Sequence, residues 1–454
     1  MADQRVSIHG QWSSRLAFIM AATGSAVGLG NIWKFPYVAG ENGGGAFVLV
    51  YLACIALIGL PVMMAEILIG RRGACSPINT MRHLARDEGR NPSWQLIGFM
   101  GIVAGFLIIS FYSVIAGWVM AYVPRIAAGM FDNVTSDGAS AIFGDLVSDP
   151  ERMLAWHTLF MLLTAGVVAR GVEEGLERAV RWLMPLLFIL LLVMLGYAMN
   201  TDAFMDGVDF LFRPDFAALS LDGVLAAMGQ AFFSLSLGMG AIMMYGSYLP
   251  KDANITSSAV TIALSDTLVA IVAGMVIFPI VFSNQLDPAA GPSLIFQTLP
   301  LAFGHMPAGA LFGTLFFVLL VVAAWTSAIS LIEPVVAWMV ESLKWSRIRA
   351  TVVSALIAWV LGIGTIVSFN IGADVLLFGK TFFDLLDFLT TNILLPLGGL
   401  FIALFAAWMV RREVSRAELS LGVEAHKAWR ILAGVVAPAG VVVIFLSGLG
   451  IFGS

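Results

Sequence analysis

An apolar segment over residues 12–37 carries helix-weakening residues at its centre. Its stretch AATGSAVGLGNIWKFP contains Gly24, Gly28, Gly30 and Pro36, and both glycine and proline weaken a helix. In hydrocarbon, each backbone N–H or C=O group that a break frees must find another partner. Freed carbonyl oxygens suit a cation, and freed N–H groups suit an anion. The break is therefore expected to line a cavity that binds both ends of a zwitterion.

The rest of the chain is that of an all-α polytopic membrane protein. The 454 residues are 59% hydrophobic and only 12% charged, with a mean hydropathy of +0.93, whereas soluble domains carry about 25% charged residues. No cleavable secretory signal is expected, because the first apolar segment is too long and lacks an A-x-A site. Runs long enough to span a bilayer predict about eleven helices, at 12–37, 45–70, 94–124, 153–170, 177–199, 222–249, 256–283, 308–342, 348–369, 376–410 and 429–451.

Basic residues are concentrated in two loops on the same predicted side. These loops, which follow the second and tenth segments, hold Arg71, Arg72, Arg82, Arg86, Arg90, Arg411, Arg412, Arg416, Lys427 and Arg430. The positive-inside rule then predicts a cytoplasmic N-terminus and an external C-terminus in the inner (plasma) membrane. The lipid bilayer is thus an expected partner, and no basic aromatic patch suggests a nucleic acid.

The sixth segment repeats the interruption of the first. It has Gly238, Met239 and Gly240 in mid-span, preceded by Ser234 and Ser236. Interrupted segments five helices apart are typical of inverted repeats, whose broken helices face one another at the midplane. The chain is therefore predicted to be one transmembrane transporter domain, residues 1–454, with repeats at about 12–199 and 222–410 and an extra helix at about 429–451.

Several polar residues lie inside apolar segments. We interpret Glu66 as a structural hydrogen-bond acceptor for the broken helices, since a carboxylate at this depth needs a partner. Tyr112 taken alone is more typical of a packed aromatic than of a ligand, and hydroxyls in a helix, such as that of Thr326, often bond to the preceding turn. Asp266 in TIALSDTLVAIVAG is harder to explain without a partner, and near a cation it would stay ionised.

The fifth segment follows RGVEEGLERAVRWLMP, which contains Gly175 and Pro185. A proline inside a helix removes a hydrogen bond and weakens the preceding turns. From these residues alone, either a static kink or reversible unwinding of this end is possible.

With GSAVGLGNIWKFPYVAGENGGGAF in the first segment, the chain resembles the neurotransmitter:sodium symporter family, from about Trp12 to the end of the tenth segment. The resemblance implies a five-plus-five inverted-repeat fold with broken helices 1 and 6, sodium-driven uptake and alternating access. The family usually has twelve helices, and this chain is similar to its shorter, eleven-helix bacterial amino acid transporters. An enzyme is not expected, because HExxH, a nucleophile elbow and clustered His and Cys residues are missing from the sequence.

The resemblance also implies the ligands of two sodium ions, all of them oxygens as a hard cation requires. The first site would use the carbonyl of Ala26, the side chains of Asn31, Ser234 and Asp266, and the substrate carboxylate. The second site would use the carbonyls of Gly24, Val27 and Ala323 and the hydroxyls of Thr326 and Ser327.

For the substrate, the resemblance implies an amino acid held at the breaks, near Ser25. Its carboxylate would meet the N–H groups of Leu29 and Gly30 and the hydroxyl of Tyr112. Its amine would meet the carbonyls of Ala26, Phe233 and Ser234 and the hydroxyl of Ser236. Its side chain would lie among Ile108, Phe233, Met239, Ser327, Ser330 and Leu331.

Two positions refine these expectations. Monoamine transporters of the family place an aspartate where this chain has Gly28, so the substrate should carry its own carboxylate. Chloride-dependent members complete an anion site with a serine where this chain has Ala270, and Asp266 supplies a fixed negative charge beside the first sodium. We therefore expect hydrophobic amino acids, from leucine-like to aromatic, as substrates, and no chloride requirement.

The gates of the family are matched only in part. Outside, Lys34 and Asp387 would form the pair, and lysine makes it looser than the usual arginine. Inside, Trp12 and Glu341 match the family, but His9 stands where arginine is usual, and Arg5 is an alternative partner. Gly175 and Pro185 match the family's helix 5 motif for unwinding.

Several alternatives stay open. The chain could be an amino-acid-binding transceptor or sensor with little transport, or a sodium symporter for small neutral amino acids. Uniport, or proton coupling through Glu66 or Asp266, is also possible. A monomer is expected to suffice for transport.

Overall fold

The computed structural model describes residues 5–291 and 293–448, and each of the eleven predicted segments corresponds to a helix or a broken helix. In chain order these are α1 (Arg15–Ala26 and Gly30–Glu41), α2 (Gly45–Gly73), α3 (Pro92–Ala127), α4 (Pro150–Val168), α5 (Val172–Ala198), α6 (Leu221–Ser234 and Ala241–Ser247), α7 (Ile255–Ser283), α8 (Gly309–Leu343), α9 (Arg347–Val367), α10 (Phe382–Met409) and α11 (Val423–Gly448). Residues 449–451, predicted to end the last helix, lie outside the described residues.

Length and composition alone identify fewer spans than eleven. Among the described residues, 8 helices are long and apolar enough to cross a membrane, or 9 if the two halves of α1 are taken together. The other two predicted segments are α4, which carries Glu151 and Arg152 in its first turn, and α6, whose halves are separated by six residues. A polar helix end and a wide break explain why these two fall outside the count.

The break in α1 lies where the glycines predict it. Its first half ends at Ala26, Val27 is extended, and the second half continues from Gly30 at an angle of 50°. The second half leads to a short turn in which Gly43 and Gly44 have positive φ angles of 79° and 63°. This turn joins α1 to α2.

The break in α6 is also built on residues with left-handed backbone. Ser236, Gly238 and Gly240 have φ angles of 54°, 81° and 76°. A side chain at Gly238 would collide with the backbone of α10, so glycine is required there. The Gly238 N–H, freed by the break, donates to the Glu66 carboxylate of α2 at 2.7 Å. Glu66 therefore acts as the structural acceptor expected from its position.

Around the two breaks, α1, α6 and α8 pack against one another, with α3 against α8 and α7 against α1. The sequence did not predict the helices in the connections, at Pro77–Asp87, Ser136–Val147, Phe204–Phe212, Leu299–His305 and Arg412–Leu419. The start of α5 also differs from its prediction. It begins at Val172 rather than near residue 177, because Gly171, with a φ of 88°, ends the preceding turn.

Candidate functional site

Three polar side chains from α1, α6 and α7 meet beside the two breaks. Asn31, Ser234 and Asp266 are all at least 99% buried. The Asn31 amide donates to the Asp266 carboxylate at 2.8 Å and to the Ser234 hydroxyl at 3.2 Å. The Ser234 hydroxyl donates to the other Asp266 oxygen at 2.5 Å. The three side chains predicted for the first sodium site therefore lie together, and a carboxylate is one of them.

Two residues that sequence reasoning missed complete this region. The Tyr51 hydroxyl of α2 lies 3.2 Å from the Ser234 hydroxyl. The Gln230 side chain of α6 donates to the carbonyl of Gly30 at 2.7 Å. That carbonyl also accepts from the Phe35 N–H within the second half of α1, so Gln230 joins α6 to the start of that half. The only signal for them was a polar atom in an apolar run, which does not say where that atom points.

A second group of oxygens lies between the first half of α1 and α8. The Ser327 hydroxyl approaches the carbonyl oxygens of Gly24 and Val27, both at 3.4 Å. The Thr326 hydroxyl donates to the carbonyl of Ala323 at 3.0 Å. The five residues predicted for the second sodium site are therefore neighbours, and every potential ligand is a neutral oxygen.

A cavity of about 30 Å³ lies among α1, α3, α6 and α8. It is lined by Ser25, Ala26, Gly28, Leu29, Gly30, Ile108, Tyr112, Phe233, Ser236, Met239, Ser327 and Leu331. No lining residue carries a formal charge, and the Leu29 N–H points at the Tyr112 hydroxyl from 3.4 Å. This pair is where the sequence predicts the substrate carboxylate.

Two predicted substrate residues lie outside this lining. Ser234 belongs to the cluster around Asp266 described above, although its neighbour Phe233 lines the cavity. Ser330 does not line the cavity but contacts two residues that do. Its hydroxyl accepts a hydrogen bond from the Ser25 hydroxyl at 2.7 Å and donates to the Ser327 carbonyl at 2.8 Å.

The close approach of α3 and α8 at Gly28 leaves no room for a side chain. A Cβ atom there would lie 2.5 Å from the Ser327 hydroxyl oxygen and 3.1 Å from that of Tyr112. The neighbouring Gly24 is packed in the same way, because a Cβ atom would lie 2.9 Å from the sulfur of Met184 on α5. Helix α5 therefore contacts the first half of α1 beside the second group of oxygens.

On one side of the cavity, Phe233 separates it from a larger pocket of about 300 Å³. The Lys34 ammonium lies 4.6 Å from the centre of the Phe233 ring, a cation–π distance. Among the described residues, Lys34 and Asp387 do not form an ion pair within 4.0 Å. Asp387 instead accepts from the Thr391 hydroxyl at 3.1 Å. The predicted outer pair is therefore not in direct contact.

On the opposite side, the N-terminal segment covers the site. Trp12 is 2% exposed and donates from its indole to the carbonyl of Tyr245 at 3.0 Å. The His9 ring lies 3.0 Å from the Glu341 carboxylate. That carboxylate also accepts from the Ser76 N–H at 2.7 Å. The segment before α1 is thus held against α6 and α8.

Arg5 makes a separate contact. Its guanidinium pairs with Asp87 through two hydrogen bonds of 2.7 and 3.0 Å, and this hydrogen bonding lowers the pKa of Asp87 below its usual 3.8. Of the two residues considered for the inner contact with Glu341, His9 occupies it.

Two further buried carboxylates tie the inner side together, and the sequence did not indicate their partners. Glu177 of α5 accepts from the backbone N–H of Ser13 at 2.9 Å. Glu333 of α8 accepts from the Tyr248 hydroxyl at 2.6 Å and from Arg347 at 2.5 Å. The helix 5 glycine, Gly175, lies in the widened first turn that ends at Glu177, so this turn is joined directly to the N-terminal segment.

These features define a class of protein. Two broken membrane helices enclose a cavity within an apolar helical bundle, as in transporters built from repeats. Phe233 and Lys34 cover the cavity on one side, and the N-terminal segment covers it on the other.

The comparisons with known proteins agree with this class. The sequence profile of the sodium:neurotransmitter symporter family matches residues 9–129 and 147–453, and the chain belongs to this family. It is therefore a sodium-dependent, multi-pass membrane transporter and not an enzyme.

Individual relatives cover nearly the whole chain. An uncharacterized sodium-dependent transporter of Bacillus subtilis, YhdH, is 40% identical over 97% of this chain and 98% of its own length. An uncharacterized sodium-dependent transporter of Haemophilus influenzae is 35% identical over 96% of this chain and 98% of its own.

A solved structure is also similar. The crystal structure of MhsT in complex with L-phenylalanine has a TM-score of 0.89 and 44% sequence identity, and covers 97% of this chain and 99% of that chain. The predicted fold, with its broken helices 1 and 6, is thus confirmed.

Proposed function

We propose that this chain is a sodium-coupled symporter that takes up hydrophobic L-amino acids, from leucine-like to aromatic, by alternating access. The observation that carries this proposal is the central cavity. Its walls are mostly apolar and lack formal charge, with hydroxyls as their polar groups, and the Leu29 N–H meets the Tyr112 hydroxyl at its edge. The substrate must therefore bring its own carboxylate, and its side chain would contact apolar groups such as Met239, which can adapt to different shapes.

In this proposal, two sodium ions use the two groups of oxygens. The first would bind Asn31, Ser234, Asp266, the Ala26 carbonyl and the substrate carboxylate, which couples ion and substrate. The second would bind between α1 and α8 and hold the two helices together. Oxygen ligands of these types suit a hard cation, and the mutual distances of 2.5 to 3.4 Å between the oxygens need only small shifts to surround one.

We also propose that chloride is not required. The Asp266 carboxylate lies 2.5 Å from the Ser234 hydroxyl and 2.8 Å from the Asn31 amide. A negative charge is therefore fixed at the position of the first sodium. A bound anion would add a second negative charge close to the first, and Ala270, one turn further along α7, offers it no donor.

Alternating access would proceed without making or breaking a bond. Phe233 and Lys34 cover the cavity on the outside, and the contacts of Trp12, His9 and Glu177 close the inside. Release of the second sodium would free α1 from α8, and the first turn of α5, with Gly175 and Pro185, would unwind to let water in.

The basic loops favour a cytoplasmic N-terminus and an external C-terminus in the plasma membrane. A monomer suffices, since one chain supplies the whole cavity.

A second candidate is favoured by the size of the cavity. About 30 Å³ is roughly the space of one water molecule, so side chains around it must move to admit leucine. A sodium symporter for small neutral amino acids would need less movement.

The decisive experiment is uptake of radiolabelled leucine, tryptophan and alanine into proteoliposomes under an inward sodium gradient. We expect concentrative uptake of leucine and tryptophan that persists when gluconate replaces chloride, and that stops when potassium replaces sodium. If alanine outcompetes both, the second candidate replaces the first. Sodium-dependent binding in detergent without uptake would identify an amino acid sensor and refute transport.

A further inference from the structure

A pocket of about 430 Å³, which shares no lining residue with the central cavity, lies between the end of α10, the short helix Arg412–Leu419 and the start of α11. Four cationic side chains line it, those of Arg412, Arg416, Lys427 and Arg430. We call this the basic pocket. One carboxylate, that of Glu413, also lines it, so the lining keeps a clear excess of positive charge.

The spacing of the cations along the two helices brings them to one concave surface. Arg412 and Arg416 are one turn apart on the short helix, and Lys427 and Arg430 are nearly one turn apart on α11. Residues three or four positions apart share a helix face. Neighbouring arginines have other partners, since Arg411 pairs with Glu88 at 2.9 Å.

The four cations are only partly neutralised by the protein. Within residues 5–291 and 293–448, none of them forms an ion pair with a carboxylate within 4.0 Å. Glu413 is one negative charge in the lining against four positive ones. The excess like charges on one surface repel each other, and an anion bound among them would relieve that repulsion.

The floor of the basic pocket is apolar and continues along α11. Trp408, Ile431 and Val435 line it and are 46%, 51% and 52% exposed. The Arg430 guanidinium lies 5.1 Å from the centre of the Trp408 ring, and its Nε–H donates to the Ala407 carbonyl at 2.9 Å. This arrangement fixes one cation at the border between the charged rim and the apolar floor.

We propose that the basic pocket binds one anionic phospholipid. Its phosphate would lie among the four cations, and its acyl chains would follow Ile431 and Val435 along α11, an apolar span of which little is buried inside the protein. Basic pockets at the ends of membrane helices suit lipid head groups. A soluble anion would leave the apolar floor unused, which is why a lipid is favoured. This site is independent of the proposed transport function.

Quenching of tryptophan fluorescence by brominated lipids tests the proposal on the full-length chain in phosphatidylcholine nanodiscs. The fluorescence of Trp408 is obtained as the difference between the tryptophan fluorescence of the natural chain and that of Trp408→Phe. We expect acyl-brominated phosphatidylglycerol to quench it at an at least tenfold lower mole fraction than brominated phosphatidylcholine. Each cation should contribute about a fivefold factor, so Arg412→Gln/Arg416→Gln should abolish the preference.

The matched control is Arg86→Gln/Arg90→Gln, which removes two positive charges from a basic loop outside the pocket. It should keep the preference for phosphatidylglycerol. Native mass spectrometry of retained phosphatidylglycerol on the natural chain and Arg412→Gln/Arg416→Gln gives a second readout if Trp408→Phe does not fold. Equal quenching by both lipids, or an equal loss in the control, overturns the proposal. Displacement of phosphatidylglycerol by inorganic phosphate at constant ionic strength would assign the pocket to a soluble anion, and would overturn it too.

Discussion

Replacing Gly28 by alanine tests the geometry of the central cavity most directly. The added Cβ atom would lie 2.5 Å from the Ser327 hydroxyl oxygen, 3.1 Å from the Tyr112 hydroxyl and 3.3 Å from the Ser327 Cβ atom. Because ordinary contacts to a carbon are 3.5–4.0 Å, the two hydroxyls must be displaced, by rotation of the Ser327 side chain or by movement of α8 or α3. Overpacking of this kind costs about 1–3 kcal/mol.

This cost falls on substrate and sodium binding, because both displaced hydroxyls belong to the proposed sites. Since each 1.4 kcal/mol is a factor of ten, we expect Gly28→Ala to raise the Kd for leucine by roughly 5- to 140-fold. Scintillation proximity binding of tritiated leucine at saturating sodium measures it. Gly196→Ala is the matched control, because a Cβ atom there meets nothing within 4 Å, and binding should not change.

A double-mutant cycle separates crowding from other causes. Ser327→Ala removes the hydroxyl oxygen nearest to the new Cβ atom, so Gly28→Ala should cost less in the Ser327→Ala background than in the natural chain. Equal costs in both backgrounds, or a leucine Kd within twofold of the natural value for Gly28→Ala alone, would show that this reasoning is wrong.

Three further predictions concern polar side chains. In proteoliposomes, Asp266→Ser should make uptake chloride-dependent, and uptake that survives gluconate replacement in this variant would contradict the role given to the carboxylate. Glu66→Ala leaves the Gly238 N–H unsatisfied and should destabilise the protein by about 1–3 kcal/mol; Glu66→Gln, which keeps an acceptor, should cost less, and equal shifts in Tm would count against the structural role. Because the folded-state pKa of Asp87 lies below 3.8, its pair with Arg5 stabilises the fold fully above the unfolded-state pKa and is lost as pH falls through the folded-state value. The difference in Tm between the natural chain and Arg5→Gln should thus shrink as pH falls below 4; a difference that does not shrink there would exclude this linkage.

The fold was largely predictable because a bilayer restricts what a chain can do. Apolar length identifies spans, and glycines inside an apolar run mark where a helix breaks, as at Gly28 and Gly238. The group of Asn31, Ser234 and Asp266 was predicted only with the help of the family resemblance. The short helices in the connections were missed, because surface segments of mixed composition carry no strong periodicity.

Partners across long sequence separations were the other omission. Glu333 with Tyr248, and Glu177 with Ser13, join segments whose order along the chain says nothing about their distance. The same is true of the choice between His9 and Arg5 at Glu341. A buried charge in an apolar run indicates that a partner is needed. Helix packing determines which residue that partner is.

The sequence by itself determined a polytopic helical protein with two interrupted spans and an uncharged position at Gly28, because these properties follow from local composition and from the lack of water in the bilayer. Only the tertiary structure decided that α3 and α8 close on Gly28, that the outer pair of Lys34 and Asp387 is apart, and that unpaired cations surround an apolar floor at the start of α11. Each of these features depends on distances between helices. Those distances are set by the packing of the folded chain and are not encoded in any local sequence pattern.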